Sequence, residues 1–367
     1  MLCAESERAS ELEPATRTKH AMSHRAGRAE RVTIAQQTLA TINTGVHEHM
    51  CEDSGVSSVD LTEQIYACRN GTTFVASNCA LSAQPAVTHE TTFEVLRVGT
   101  LSAARRLAAN GRRPCALNFA SAKHPGGGFL NGAEAQEENL ARNSALYASL
   151  SSEAASPFYD TRSLGRDGLY SHRMIYSPAV PVLRDDDGLP IQPWLCSFVT
   201  AAAPNAGIAR ERGTSDAAID AVLRARAERV LAVAAHCGHD TLVLGAWGCG
   251  VFRNSPERVA AVWHTLLRTR FARCFAHVCF AIRGGGERTV APFEALFGCA
   301  PHAEAITDAS LDEPEVACMC GAVAELARQP ASEQIDVGDK QPTGRRQRRR
   351  KARVLQHRGW DMGMASA

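Results

Sequence analysis

The chain has 367 residues, 45% of them hydrophobic, and a formal net charge of +1. It is long enough for one large domain or two ordinary ones with a sizeable core, and its balanced charge gives no global case for nucleic-acid or anionic-membrane binding. Its 13 cysteines are scattered and odd in number, no apolar signal segment opens the chain and no run is long enough to cross a bilayer, so a soluble intracellular protein with mostly free thiols is expected.

Residues 1–27 are polar and mixed in charge, the composition of a disordered leader. From Arg28, Val32, Ile34, Ala35, Leu39 and Ile42 recur at helical spacing, with Gly45 as the stop. His47, His49 and Cys51 follow at alternate positions. No second pair of ligand-type residues stands nearby, so a surface loop is expected there rather than a metal site. Residues 73–76 and 92–98 read as strands. Thr100 is placed to cap a helix that stops at Gly111, and 115–120 reads as the end of a buried strand.

The next stretch carries the chemistry. Three consecutive glycines, Gly126, Gly127 and Gly128, are followed by a seven-residue spacer and then by Gln136, Glu137 and Glu138, from which an amphipathic helix is expected to run to Leu150. Residues 151–168 are polar and are expected to cross the surface. Residues 174–176 and 194–199 are strand candidates flanking a turn-rich segment. Asn205 and Gly207 punctuate a loop, and Thr214 or Ser215 caps a helix to about His236. Thr241, Leu242, Val243 and Leu244 form a short apolar run, as in a strand buried on both faces. A second glycine-containing loop follows, then a helix capped by Asn254 or Ser255 with Pro256 in its first turn and an end near Phe271. A strand at 278–282, a glycine turn at 284–286 and a short helix over 292–297 close the pattern.

From about Pro301 the chain is acidic and patternless, and the expected disordered tail holds a basic cluster within 345–353. Such a cluster reads as a nuclear localisation signal, a weak nucleic-acid patch or a solubilising tail. Alternating strands and helices predict one α/β domain over 28–299, a sandwich with a mostly parallel or mixed sheet.

Glycines after a buried strand let the backbone approach a ligand closely, and successive N–H groups there make an anion cradle. Gly126, Gly127 and Gly128 fit that description, as do Gly248 and Gly250, so two loops at two strand ends are placed to grip one diphosphate. Neither is an NTPase phosphate loop or a dinucleotide fingerprint. Adjacent glutamates on a helix point about 100° apart, so Glu137 and Glu138 divide the work: one binds sugar hydroxyls and the other delivers a proton to a leaving oxygen. The bland account is a solvated acidic first turn that favours the helix dipole.

The run PGGGFLNGAEAQEE resembles the signature of poly(ADP-ribose) glycohydrolases of the microbial type, and NFASAKH, TLATINTG, IYSPAVPVLRDDDG, TAAAPNAG and LVLGAWGCGVFRNSPERVA extend the resemblance over roughly 28–299. The resemblance implies a macrodomain-like three-layer α/β/α sandwich with a mixed central sheet. It implies an enzyme that cleaves the ribose–ribose bond of poly(ADP-ribose) and releases ADP-ribose without a metal or cofactor. Glu138 would be the catalytic acid, with Glu137 beside it in the catalytic pair, and Gln136 and Glu137 would position the ribose. Gly126, Gly127 and Gly128 would hold the diphosphate together with Gly248, Cys249, Gly250, Val251 and Phe252, and Asn118 would contact a ribose. Poly(ADP-ribose) or ADP-ribosylated proteins would be the partners. Arg253 stands where the family often has glycine, and Ser255 where it often has aspartate. A non-catalytic ADP-ribose reader, or a hydrolase of a mono-ADP-ribosyl or ester bond, would share these features, and turnover of the polymer separates them.

Overall fold

The computed structural model describes residues 26–51, 55–81, 88–165 and 167–298. The proposed leader, the acidic segment and the basic cluster at 345–353 lie outside them. In chain order the elements are α1 (Arg28–Thr44), β1 (Val46–Cys51), β2 (Gly55–Asp60), α2 (Thr62–Asn70), β3 (Thr73–Val75), β4 (Thr92–Leu96), α3 (Thr100–Ala109), β5 (Pro114–Phe119), α4 (Gln136–Asn143), α5 (Leu146–Leu150), β6 (Met174–Arg184), β7 (Pro190–Ala201), α6 (Ala206–Glu211), α7 (Asp216–His236), β8 (Thr241–Leu244), α8 (Pro256–Arg268), β9 (His277–Ala281) and α9 (Glu287–Phe297).

Among the described residues, seven strands form one mixed sheet in the order β3-β6-β7-β5-β8-β9-β4, and β1 and β2 pair as a separate ribbon. β7, β5, β8, β9 and β4 run parallel, while β3 and β7 lie antiparallel to β6. Alternation along the central strands feeds two cores. Cys115 and Leu117 of β5, Leu242 and Leu244 of β8, and Val278 and Phe280 of β9 pack with α7, α8 and α9. Their intervening neighbours Ala116, Val243 and Cys279 pack with α2, α3 and α5 on the other face. Three α/β/α layers result, because strands buried on both faces need helices on both. All nine cysteines among the described residues carry free thiols. No helix among those residues is long and apolar enough to cross a membrane.

Several elements depart from the sequence expectations, each for a local reason. His47, His49 and Cys51 lie on strand β1 rather than in a surface loop. The residues that alternate inward are the two histidines, 1% and 3% exposed, so an apolar alternation never appears in the sequence. His47 Nε2 bonds the Ile191 carbonyl at 3.0 Å. β6 and β7 are far longer than the runs at 174–176 and 194–199; Pro178, Pro181, Pro190 and Pro193 interrupt the pattern, and the pair accommodates them with register shifts, one of them between Ser177 and Val180. The expected helix to Leu150 breaks at Ser144, which is extended and bridges to Val182. The segment 151–168 does not simply cross the surface, since Ala155 and Phe158 are buried in the second core. Asn205 caps α6, a helix too short to show periodicity, by accepting from the Ile208 N–H at 3.1 Å. α9 begins at Glu287, five residues before Pro292, which reads in sequence as a helix start.

Candidate active site

β5 and β8 are parallel neighbours, so the loops that leave their carboxyl ends lie side by side, where ligands bind in α/β sheets. α1 braces the spacer of the first loop. Arg28 Nε and Arg31 Nε donate to the carbonyls of Asn131 and Gly132 at 3.0 and 2.9 Å, and Arg31 pairs with Glu134 at 3.1 Å. Gly132 has φ +69°, and a methyl there would stand 2.6 Å from the Arg28 carbonyl oxygen. Phe129 is buried between Ala35 and Ala141, which ties the loop to both α1 and α4.

Gln136, Glu137 and Glu138 form the first turn of α4. Gln136 spans the helix and the sheet: its Oε1 accepts from the Phe119 N–H at 2.8 Å, and its Nε2 donates to the Leu117 carbonyl at 2.8 Å and to Thr100 Oγ1 at 3.1 Å. Both ends of the amide are thus committed to the protein. Thr100 is the first residue of α3, with Gly99 at the cap position assigned to Thr100 from sequence, and its hydroxyl serves this bond instead.

Glu137 is 2% exposed. Its Oε2 accepts from the Ser121 N–H at 2.6 Å, and its Oε1 lies 3.4 Å from Asn118 Nδ2. Burial pushes its carboxyl up to about 8; the Ser121 N–H opposes the shift and the Glu138 charge adds to it. Asn118 is itself fully buried and also donates to Thr200 Oγ1 at 3.2 Å. It therefore sits behind Glu137 rather than on an open surface.

Glu138 is half-buried and faces the glycines. Its Oε1 accepts from the Gly128 N–H at 3.0 Å. Gly126 and Gly127 have φ of +66° and +59°, whereas Gly128 does not. A methyl on Gly127 would fall 2.3 Å from Glu138 Oε1 and 3.1 Å from Glu137 Oε2. Gly127 is glycine because two carboxylates pack directly against it, whereas a methyl on Gly126 would meet the Phe129 ring at 2.9 Å. Its N–H groups are largely spent inside the protein, with Gly127 N donating to the His124 carbonyl at 3.0 Å and Gly128 N to Glu138.

The second loop differs in this respect. Asn254 pins its base by donating from Nδ2 to the carbonyls of Pro204 and Gly248 at 2.8 and 3.2 Å. Ser255, rather than Asn254, caps α8, accepting from the Arg258 N–H at 3.3 Å, so the residue that stands in place of aspartate keeps a capping oxygen. Among the described residues, the N–H groups of Gly250, Val251 and Phe252 have no internal acceptor. The anion-ready donors are here, on a turn whose Val251 is 81% exposed. Cys249 is half-buried with its thiol pushed up to about 12 by burial, which leaves it neutral. Phe252 packs against Tyr170 with the rings tilted by 51° and their centroids 5.8 Å apart.

Arg253 occupies a left-handed conformation, φ +55°. That backbone costs a non-glycine residue about 1–2 kcal/mol, while glycine loses about 0.4–1 kcal/mol more chain entropy on folding. Arg253→Gly is therefore expected to raise stability by up to about 1 kcal/mol, read as a rise in the urea midpoint; a clear fall would show that the side chain holds the loop. No group of three or more metal-ligating side chains stands together among the described residues.

Ser121, Thr200 and Tyr170 were not legible as site residues in the sequence. They reach the site from 16, 63 and 82 positions away from their contacts with Glu137, Glu137 by way of Asn118, and Phe252 respectively, and no local pattern marks them.

A family model described as the catalytic domain of microbial-type poly(ADP-ribose) glycohydrolase (PARG) matches residues 35–185. Among solved structures, the poly(ADP-ribose) glycohydrolase of Thermomonospora curvata is 42% identical over 73% of this chain and 100% of that chain, with a TM-score of 0.66. The same enzyme bound to the inhibitor ADP-HPD is 41% identical over 73% and 99%, TM-score 0.64. The poly(ADP-ribose) glycohydrolase of Deinococcus radiodurans in complex with ADP-ribose is 42% identical over 63% and 96%, TM-score 0.59. A search of curated proteins found no match.

Proposed function

This chain belongs to the microbial-type poly(ADP-ribose) glycohydrolases, and from that premise we propose that Glu138 is the acid that cleaves the ribose–ribose bond of poly(ADP-ribose). The chain is a glycoside hydrolase acting on that polymer. The assignment to Glu138 rests on one observation above all: its carboxylate is half-buried and held against the glycine turn by the Gly128 N–H.

In this reading Glu138 gives its proton to the bridging oxygen as the C1–O bond of the bound unit's distal ribose breaks and positive charge builds on the ring. The carboxylate then takes a proton from the water that attacks C1, which restores the acid. Glu137, kept neutral by burial at neutral pH, has an O–H to offer a ribose hydroxyl. Gln136 and Asn118 act one step back, holding the α4 turn and Glu137 against the end of β5. The diphosphate is held by the free N–H groups of Gly250, Val251 and Phe252, with Gly126, Gly127 and Gly128 allowing close approach rather than supplying most of the donors. ADP-ribosylated proteins and a cytoplasmic location are part of the same proposal. Incubating the protein with poly(ADP-ribose) and resolving the products by chromatography tests it; polymer that stays intact would leave a binding module instead.

The raised Glu137 carboxyl has a stability consequence. In the folded chain it keeps its proton up to about pH 8, and in the unfolded chain only to its ordinary value of 4.5. Between those values the folded state binds more protons, so this group's contribution is fully present below the lower value and is lost as pH rises through the upper one. The Tm of Glu137→Gln, relative to that of the native protein, is expected to rise between about pH 5 and about pH 9. A constant difference in Tm across that range would mean that Glu137 is ionised in the folded state.

A further inference from the structure

A groove of about 710 Å³ opens beside the two loops and has no part in the mechanism above. Lys123 lines one side of it, two residues after Ser121 and three before Gly126 on the first loop. Tyr170 lines another, with its ring against Phe252 of the second loop. Arg162, Leu164, Ile208 and Arg212 complete most of the wall. The groove therefore adjoins both loops that frame Glu138.

Three features make it a built surface. Tyr170 has φ +60°, a strained conformation for a non-glycine residue that persists only where its surroundings enforce it. The enforcing group is Arg226, which is fully buried and donates to the Leu169 carbonyl at 2.7 Å and the Ala202 carbonyl at 2.8 Å. Asn205 adds a bond from its N–H to the Gly168 carbonyl at 2.8 Å. Charge is the third feature. Arg162 is engaged by Asp160, but Lys123 and Arg212 are exposed and neither pairs with a carboxylate among the described residues. An aromatic side chain lining one groove with two cations that are unpaired among the described residues suits an adenosine followed by a diphosphate.

The substrate supplies that sequence of groups. Past the bond that Glu138 breaks, the polymer continues with the adenosine whose ribose carries the leaving oxygen, and then with that unit's diphosphate. We propose that this groove binds the leaving unit of poly(ADP-ribose), with its adenine on Tyr170 and its phosphates between Lys123 and Arg212. The proposal rests on the hydrolase reading above and adds a second subsite on the far side of the scissile bond. Such a subsite holds polymer and contributes nothing to binding of free ADP-ribose, which ends at the bond.

The test compares initial rates on purified poly(ADP-ribose) with calorimetric binding of free ADP-ribose. Lys123→Glu combined with Arg212→Glu changes two exposed side chains, and thermal unfolding confirms that the variant is folded. It is expected to raise KM for the polymer roughly tenfold or more, to flatten the dependence of KM on salt, and to leave the Kd for ADP-ribose within about twofold of the native value. Tyr170→Phe, which keeps the ring, is expected to retain the native KM, whereas Tyr170→Ala is expected to raise it. An unchanged polymer KM in the charge variant would overturn the proposal. A loss of ADP-ribose binding equal to the rise in KM would do the same, because the cations would then serve the ADP-ribose site itself. Native protein that releases no ADP-ribose from the polymer would overturn the hydrolase reading, and the second subsite with it.

Discussion

Glu138→Gln is expected to release ADP-ribose from poly(ADP-ribose) about 10²- to 10⁴-fold more slowly than the native protein, the range by which a positioned general acid accelerates proton transfer. The amide has the same shape as the carboxyl, and its oxygen still accepts the Gly128 N–H that now bonds Glu138 at 3.0 Å. The glycine turn therefore keeps its conformation, and calorimetric affinity for free ADP-ribose is expected to stay near the native value. What the amide lacks is a proton it can transfer at neutral pH. A variant that retained a substantial part of native turnover would remove Glu138 from the chemistry and direct attention to Glu137, the other carboxyl at the turn.

Gly127→Ala is expected to produce a comparable loss of turnover by a different route. The new methyl would stand 2.3 Å from Glu138 Oε1 and 2.9 Å from its Cδ, on a backbone at φ +59°. Alanine pays about 1–2 kcal/mol for that conformation, so Tm falls. The larger effect is on the site, because the contact is relieved by moving the carboxylate that the turn positions. Gly128→Ala is the control. Gly128 has φ −104°, and its methyl would meet the Ala133 side chain at 3.0 Å and Glu138 Oε1 only at an ordinary contact of 3.9 Å. That variant is expected to retain far more activity than Gly127→Ala. If the two were equally impaired, the glycines would matter as a flexible turn and not through the space that Glu138 occupies. Measuring kcat and Tm for both separates the two accounts.

Much of the fold was legible before any coordinates. α1 with its Gly45 stop, the long α7 capped by Ser215, and the buried strands β5, β8 and β9 all fall where apolar side chains recur, although Thr38 and Thr41 share the buried face of α1 and Arg226 that of α7. Three of the misses share one cause: the residue at a structured position was not the type that usually marks it. Histidines face inward on β1, prolines interrupt β6 and β7, and Pro292 lies inside α9. In each case tertiary packing outweighed local preference.

The site divides along the same line. Gly126, Gly127, Gly128, Gln136, Glu137 and Glu138 lie within one strand–loop–helix unit, so their residue types and spacing carried the chemistry in the sequence itself. A 100° turn between adjacent helical residues was enough to separate the two carboxyls. Which of them would be buried was not in that pattern, because it depends on where the end of β5 meets α4. There Ser121 and Asn118 close over Glu137, and Glu138 is left facing the glycines. The partnership of the first loop with Gly248, Gly250 and Phe252 depends on strand order: β8 follows β5 by more than a hundred residues yet lies beside it. Only the folded sheet decides which strand ends are neighbours, since hydrogen bonding between strands joins segments that carry no record of one another in their local sequence.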